Sequence, residues 1–255
     1  RVYSVAAKNK NNKESLMLQS FDQPFSLFKK AAAITLMSVS GFSFADVSPW
    51  ELEAHDEDKD IKVFTRSVGD SPLKEFKGVT QIKAPVSAFV AVLKDADVAT
   101  DWMHNVIEFD VMESPNETES VIYTVNKTPW PVTDRDAYVR SVMTANADGS
   151  VVSAISAAPE YKENNEDYIR MPKIAGAWTF APKADGVTEV TYQVHANPGG
   201  SLPTWLVNAI VVETPMNTLS NLQELVVAEK YQGQSFVFMQ QAATENTTAQ
   251  TELAQ

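Results

Sequence analysis

The chain has 255 residues, no cysteine, and 33 acidic side chains against 21 basic ones, a net charge of −12. Without thiols it has no disulfides, thiolate metal sites, cysteine nucleophile or lipid attached through a cysteine. The acidic balance repels polyanions at long range, so nucleic acid is not an expected partner.

The first predicted element is a targeting segment. Lys29 and Lys30 precede an apolar stretch, Ala31 to Phe44, and Ser43 and Ala45 place small residues just ahead of a cleavage point. That is the order of a secretory signal peptide, and the stretch is short for a membrane span. Residues 1–16 read as an upstream extension, and residues 1–45 as the part removed by cleavage after Ala45. The short signal and its lysines point to a bacterial periplasm. No later segment is long and apolar enough to span a bilayer, so a soluble exported product is expected.

Residues 46–235 then read as one folded domain. Trp50, Leu52 and Ala54 alternate with charged residues, Ile61 to Arg66 alternate again, and Lys74 to Lys83 make a third strand. From Pro85 to Leu93 the period changes: Val86, Phe89, Val90 and Leu93 share one helical face. A second short helix is expected over Asp97–Met103, with Asp97 as its cap. From Val106 the period returns to two. Strands are expected at Val106–Met112, Ser120–Asn126, Asp136–Ala145, Val151–Ala157, Ala175–Ala181 and Val187–Ala196. Asp148-Gly149 and Asp185-Gly186 suit tight hairpin turns. Strands at this spacing argue for an antiparallel meander rather than alternating βαβ units.

A long helix closes the domain between Gly200 and Tyr231. Ser201 is the expected cap and Pro203 a first-turn residue. Two apolar rows, one through Leu202, Leu206 and Ile210 and one through Trp205, Ala209, Val212 and Met216, give a stripe wide enough to lie across a sheet. Pro215 removes a backbone donor and is expected to kink or split the helix near Thr214. Residues 236–255 read as a polar tail without enough apolar surface to order it. The fold class is α+β: a curved antiparallel sheet of about nine strands around a long C-terminal helix.

The chemistry-bearing residues are sparse. His55, His104 and His195 lack metal-ligand spacing, and there is no nucleophile elbow, P-loop or dinucleotide turn. No metal, cofactor or catalytic residue is therefore assigned. The one charged cluster in an apolar setting is Asp134-Arg135-Asp136, read as an ion pair tying a loop to the start of a strand. The acidic run Asp56-Glu57-Asp58 reads as a solvated turn. Trp102, Tyr123, Val125, Val139, Trp178, Tyr192, Val194, Trp205, Ile210 and Met216 fall where they can face the space between sheet and closing helix. A filled core would use them equally well. Ser141, Ser153, Thr191 and Gln193 are candidates for a few orienting hydrogen bonds.

Four stretches in fixed order resemble the START family of lipid-transfer domains within the helix-grip superfamily. They are Asp101-Trp102 with Val106, the run Pro129 to Arg140 (PWPVTDRDAYVR), Ile174 to Pro182 (IAGAWTFAP), and Asn197 to Asn208 (NPGGSLPTWLVN). The resemblance covers Trp50 to Tyr231. It implies a cavity where the residues above would otherwise be core, with those ten and Ser141 as its ligand-facing set. It implies a monomer that holds an apolar small molecule, a lipid, shields or carries it, and meets a membrane transiently. The helix from Ser201 would act as lid, with Gly199-Gly200 and Pro215 as hinges and Trp205 beside the route in. The arginine that some members place in the cavity would fall at Ser141; Arg140 is one residue off and so on the opposite face. An enzyme on the same fold, such as a polyketide aromatase/cyclase or a hydrolase, would need a positioned acid–base pair in the pocket. A partner-binding module would lack the cavity.

Overall fold

The computed structural model describes residues 47–244, apart from residues 70 and 72. The predicted signal segment and its cleavage point lie outside the described residues. Three strands come first: β1 (Glu51–Asp56), β2 (Ile61–Arg66) and β3 (Glu75–Ile82). Two helices follow, α1 (Val86–Lys94) and α2 (Ala99–Trp102), with a 3₁₀ turn at Ala96–Val98 between them. The second sheet half is β4 (Val106–Glu113), β5 (Glu119–Asn126), β6 (Arg135–Ala145), β7 (Val151–Ala157), β8 (Ile169–Arg170), β9 (Lys173–Pro182) and β10 (Thr188–Asn197). The closing helix is α3 (Thr204–Leu225).

The strands form one open sheet in the order β1-β2-β3-β10-β9-β7-β6-β5-β4, antiparallel throughout, with β8 pairing parallel to β6. In the second half β4–β5, β5–β6, β6–β7 and β9–β10 pair with their neighbours in sequence, whereas β7 reaches β9 through a long connection that carries β8. At the β9–β10 turn Asp185 and Gly186 both have positive φ (58° and 70°), the backbone of a tight primed turn that glycine adopts without steric cost. β8 was not anticipated. Two residues carry no periodicity, and its pairing depends on where the loop after β7 lands.

The core lies on the face that receives α1, α2 and the C-terminal half of α3. Phe89 of α1 stacks on Phe180 of β9 at 5.1 Å, and Leu219 and Leu222 of α3, with Val226 that caps its end, join the same cluster. Gly78 of β3 is where α3 comes closest to the sheet. A Cβ there would lie 2.7 Å from Leu219 Cδ1 and 3.0 Å from Pro215 Cβ. The helix therefore runs through Pro215 as a single element rather than splitting: the proline ring packs into the space that Gly78 leaves open. Polar ties hold this half of α3. Gln223 donates to Lys59 O and Thr80 Oγ1, both at 2.8 Å, and Lys59 Nζ reaches Ser220 Oγ and Glu224 Oε1 at 2.5 and 2.8 Å.

Three expectations change at the boundaries. Pro203, not Ser201, is the cap residue of α3, because its extended backbone (ψ 139°) immediately precedes the helix. Asp97 lies inside the 3₁₀ turn and caps nothing with its side chain. The folded unit also runs past residue 235. Phe236, Phe238 and Met239 pack against the main cluster, and Phe238 N donates to Glu117 Oε2 at 3.0 Å. Four consecutive apolar residues, Phe236 to Met239, ahead of a polar tail are a weak periodic signal, but three of them find a place to bury against the main cluster while Val237 stays exposed.

Candidate functional site

Between the N-terminal half of α3 and the strands β4–β7, β9 and β10 lies a cavity of about 440 Å3. Its walls follow from strand alternation. On β5 the residues facing it are Ser120, Ile122, Thr124 and Asn126; on β6 they include Arg135, Val139, Ser141 and Met143. These sets meet across the ladder as Ser120 with Ser141, Ile122 with Val139 and Asn126 with Arg135. Phe76, Trp178, Tyr192 and Val194 supply an aromatic and aliphatic wall on β3, β9 and β10. Trp178 and Tyr192 stack at 3.9 Å and 7°, and Phe76 meets Tyr192 edge-on at 5.2 Å. Burial pushes the Tyr192 phenol up to about 12, so the ring stays neutral at ordinary pH.

Of the eleven residues read from the sequence, Val139, Ser141, Trp178, Tyr192, Val194 and Ile210 line this cavity. Ser141 Oγ lies 2.9 Å from Ser153 Oγ, a buried hydroxyl pair on the wall. The other five do not. Tyr123 and Val125 point through the sheet to a second, smaller cluster with Val121 and Tyr138, covered by Tyr161 and Tyr168 from the long β7–β9 connection. An alternating strand offers an apolar face on each side here, and alternation alone does not say which side holds the space. Trp102 is 1% exposed and packs its ring edge-on to Trp178 at 5.6 Å, behind the cavity wall. Met216 packs against the main core. Trp205 is 59% exposed and borders an outer recess with Pro129, Lys127 and Glu213. That recess shares Asn105, Lys127, Thr128, Ile210 and Thr214 with the cavity, so it forms the mouth. Thr191 and Gln193 face away; Gln193 Nε2 donates to Glu75 Oε1 at 2.6 Å.

The charged cluster is rearranged relative to the expected ion pair. Asp136 is fully buried and pairs with Arg170 of β8: Nε to Oδ1 at 2.9 Å and Nη2 to Oδ2 at 2.8 Å. Asp134 accepts from Thr128 N at 2.7 Å. Arg135, between them in sequence, is 2% exposed and turns to the opposite face. Its guanidinium donates to backbone oxygens: to Thr133, to Pro198 at 3.4 Å and to Gly199 at 3.5 Å. Burial lowers its pKa, an effect that the nearby Asp134 charge partly offsets. Alternation along β6 could have signalled this, since Arg135 shares parity with Val139 and Ser141.

His104 sits half-buried on the same wall. Its ring lies 3.5 Å from Asn217 Nδ2, and its backbone N–H donates to Thr218 Oγ1 at 3.1 Å. Burial lowers its pKa from the usual value, partly countered by Glu213. The folded state thus binds this proton less readily than the unfolded chain does. The stability it contributes is complete above about pH 6.5 and is lost as pH falls from there through the lower folded value. His104→Gln is expected to flatten the loss of urea stability between about pH 7 and 5; identical pH profiles for both proteins would refute the assignment.

Among the described residues no group of three or more His, Asp or Glu side chains could hold a metal ion, and no helix is long and apolar enough to cross a membrane.

The START domain profile matches residues 45–227, most of the chain. The chain belongs to the START family. A protein of Pseudomonas aeruginosa is 39% identical over 198 residues, covering 78% of this chain and 95% of that protein. A crystal structure of a STAR-related lipid transfer protein from Xanthomonas axonopodis superposes with a TM-score of 0.65 at 39% identity, covering 70% of this chain and 99% of that one. The human StAR-related lipid transfer protein 5 superposes at 0.63 with 17% identity, over 69% of this chain and 86% of that one, a likeness of fold. The open antiparallel sheet with its long C-terminal helix is the START helix-grip fold.

Proposed function

We propose that this START protein binds one lipid or similar apolar molecule in the cavity beneath α3 and shields or carries it through the periplasm as a monomer. The observation that carries this reading is the cavity itself. About 440 Å3 of space stays open behind an aromatic and aliphatic wall that a solid core would have closed. That volume suits a single small ligand. Each Å2 of apolar ligand surface removed from water contributes about 25 cal/mol, so contact area alone can supply several kcal/mol before ordering costs. No covalent step is needed.

Access is through the mouth. The C-terminal half of α3 is pinned by Gln223, Lys59 and the core, whereas Trp205 in its first turn is exposed. The N-terminal half is therefore the lid. Trp205 borders this opening, and Trp130, 92% exposed, follows the recess residue Pro129 in sequence; both present amphipathic rings suited to a bilayer interface. Trp130→Ala is expected to leave thermal stability within about 0.5 kcal/mol while lowering binding to phosphatidylcholine vesicles several-fold. Unchanged vesicle binding in a sedimentation assay would remove Trp130 from the docking surface.

The test of the ligand reading is native mass spectrometry of protein purified from its own periplasm, with extraction of what it carries, beside titration with the neutral dye Nile red. Ile155→Trp, which projects a large ring from β7 into the space, is expected to weaken dye binding at least tenfold. It should cost about 1–3 kcal/mol in overpacking. A wild-type protein that carries nothing and binds no dye would sink the carrier reading.

A further inference from the structure

Arg135 is a feature of the cavity that an apolar ligand alone does not explain. Its side chain is 2% exposed, lines the cavity, and has no carboxylate within 4.0 Å among the described residues. Both flanking acids are engaged elsewhere, Asp134 with Thr128 and Asp136 with Arg170. A guanidinium offers five N–H donors in a planar fork. Here it donates to three carbonyl oxygens, two of them at 3.4 and 3.5 Å, where a hydrogen bond is weak. A buried charge without a counter-ion is costly, and a carboxylate or phosphate answers both its charge and its geometry.

The surroundings favour an anion. Asn126 lies directly across the ladder from Arg135, and Lys127 and Thr128 follow it on the cavity wall. No side chain caps the start of α3 and no acid occupies its first turn, so the positive end of a 22-residue helix is not neutralised there. Of the acids at the site, Glu213 borders the outer recess, Asp134 accepts from Thr128 N at 2.7 Å, and Glu117 and Glu119 line the cavity, Glu119 at the other end of the β5–β6 ladder from Asn126 and Arg135. The apolar wall runs away from this polar end along β10. From Pro198, whose carbonyl accepts from Arg135, back to Tyr192 is roughly 20 Å at about 3.3 Å per residue.

We propose that the cavity is built for an acidic amphiphile, with a carboxylate or phosphate head paired to Arg135 near the mouth and an apolar tail lying along β10 toward Tyr192 and Trp178. This rests on the carrier reading above and names its substrate class. Such a head would compete with the Pro198 and Gly199 carbonyls for the guanidinium, and so would loosen the segment that leads into the lid.

The test compares matched ligands on the whole protein at constant ionic strength, by displacement of Nile red. Oleate is set against oleyl alcohol and methyl oleate, and oleoyl lysophosphatidate against monoolein. At least one acidic member is expected to bind tenfold or more tightly than its neutral partners. In Arg135→Gln that preference should shrink to under threefold, and in Arg135→Lys it should be partly retained. If Arg135→Gln does not fold, the wild-type series decides by itself. Neutral and acidic ligands binding within threefold of one another in both pairs would overturn the acidic-head assignment and leave lipid carriage standing. No displacement by any ligand would overturn both. Acetate and inorganic phosphate alone are expected neither to displace the dye nor to raise the melting temperature. Phosphate stabilising the protein as much as lysophosphatidate does would point to a small-anion site and overturn the amphiphile.

Discussion

Alanine at Asp136 is expected to destabilise the fold by about 3–5 kcal/mol, the cost of leaving a buried charge without its partner. Asp136 is fully buried and takes both of its bonds from Arg170, whose side chain is 7% exposed. Arg170 does more than neutralise it. Its Nη1 donates to Pro159 O at 2.8 Å and Lys162 O at 3.1 Å, and its guanidinium lies 4.7 Å from the centre of the Tyr138 ring. The pair therefore fastens the long β7–β9 connection over the second cluster, and with it Met171 and the start of β9. Unfolding in urea should show the midpoint falling with little change in slope. Asp136→Asn keeps the shape but not the charge and should be destabilised as well. A loss below about 1 kcal/mol, the range of exposed pairs, would mean that the pair is not buried in solution.

The second large effect is expected at Trp102. The sequence reading put this ring among the ligand contacts; its surroundings put it in the core. It is 1% exposed, meets Trp178 edge-on, and its carbonyl accepts from Asn221 of α3 at 3.2 Å. Trp102→Ala should cost about 3–5 kcal/mol. Ligand affinity of the fraction that folds should change far less, because the ring lies behind Trp178 rather than on the wall. Its Nε1 is buried without a partner, the one such side-chain atom among the described residues. Phenylalanine at 102 removes that unsatisfied donor along with part of the ring, so it should cost much less than alanine. Equilibrium unfolding together with Nile red titration separates the two roles. A Trp102→Ala protein of native stability with lost binding would return the residue to the site.

Period two over Ser120–Asn126 and Asp136–Ala145 is enough for two strands, and the turn between them follows from Pro129 and Pro131. The period does not choose a side. Val121, Tyr123 and Val125 are the more apolar set on β5, and Tyr123 and Val125 were expected on the cavity wall. They are apolar because the connection carrying Tyr161 and Tyr168 folds back over them. The cavity takes the mixed set, Ser120, Ile122, Thr124 and Asn126. A wall that must leave room for a ligand and orient it need not be the most apolar face of its strand.

By itself the sequence determined, among the described residues, the order of elements, nine of the ten strands, the helices α1 to α3 and membership of the START family, because these depend on local period, turn residues and motifs close together in the chain. Tertiary structure decided the rest. Packing of Pro215 against Gly78 kept α3 whole where local chemistry predicted a kink or a split. The landing of β8 beside β6 gave Asp136 its partner from 34 residues away and so left Arg135 facing the cavity with backbone carbonyls. Which charges pair, and which side of a strand holds open space, are set by contacts between distant segments, and no local pattern of side chains encodes them.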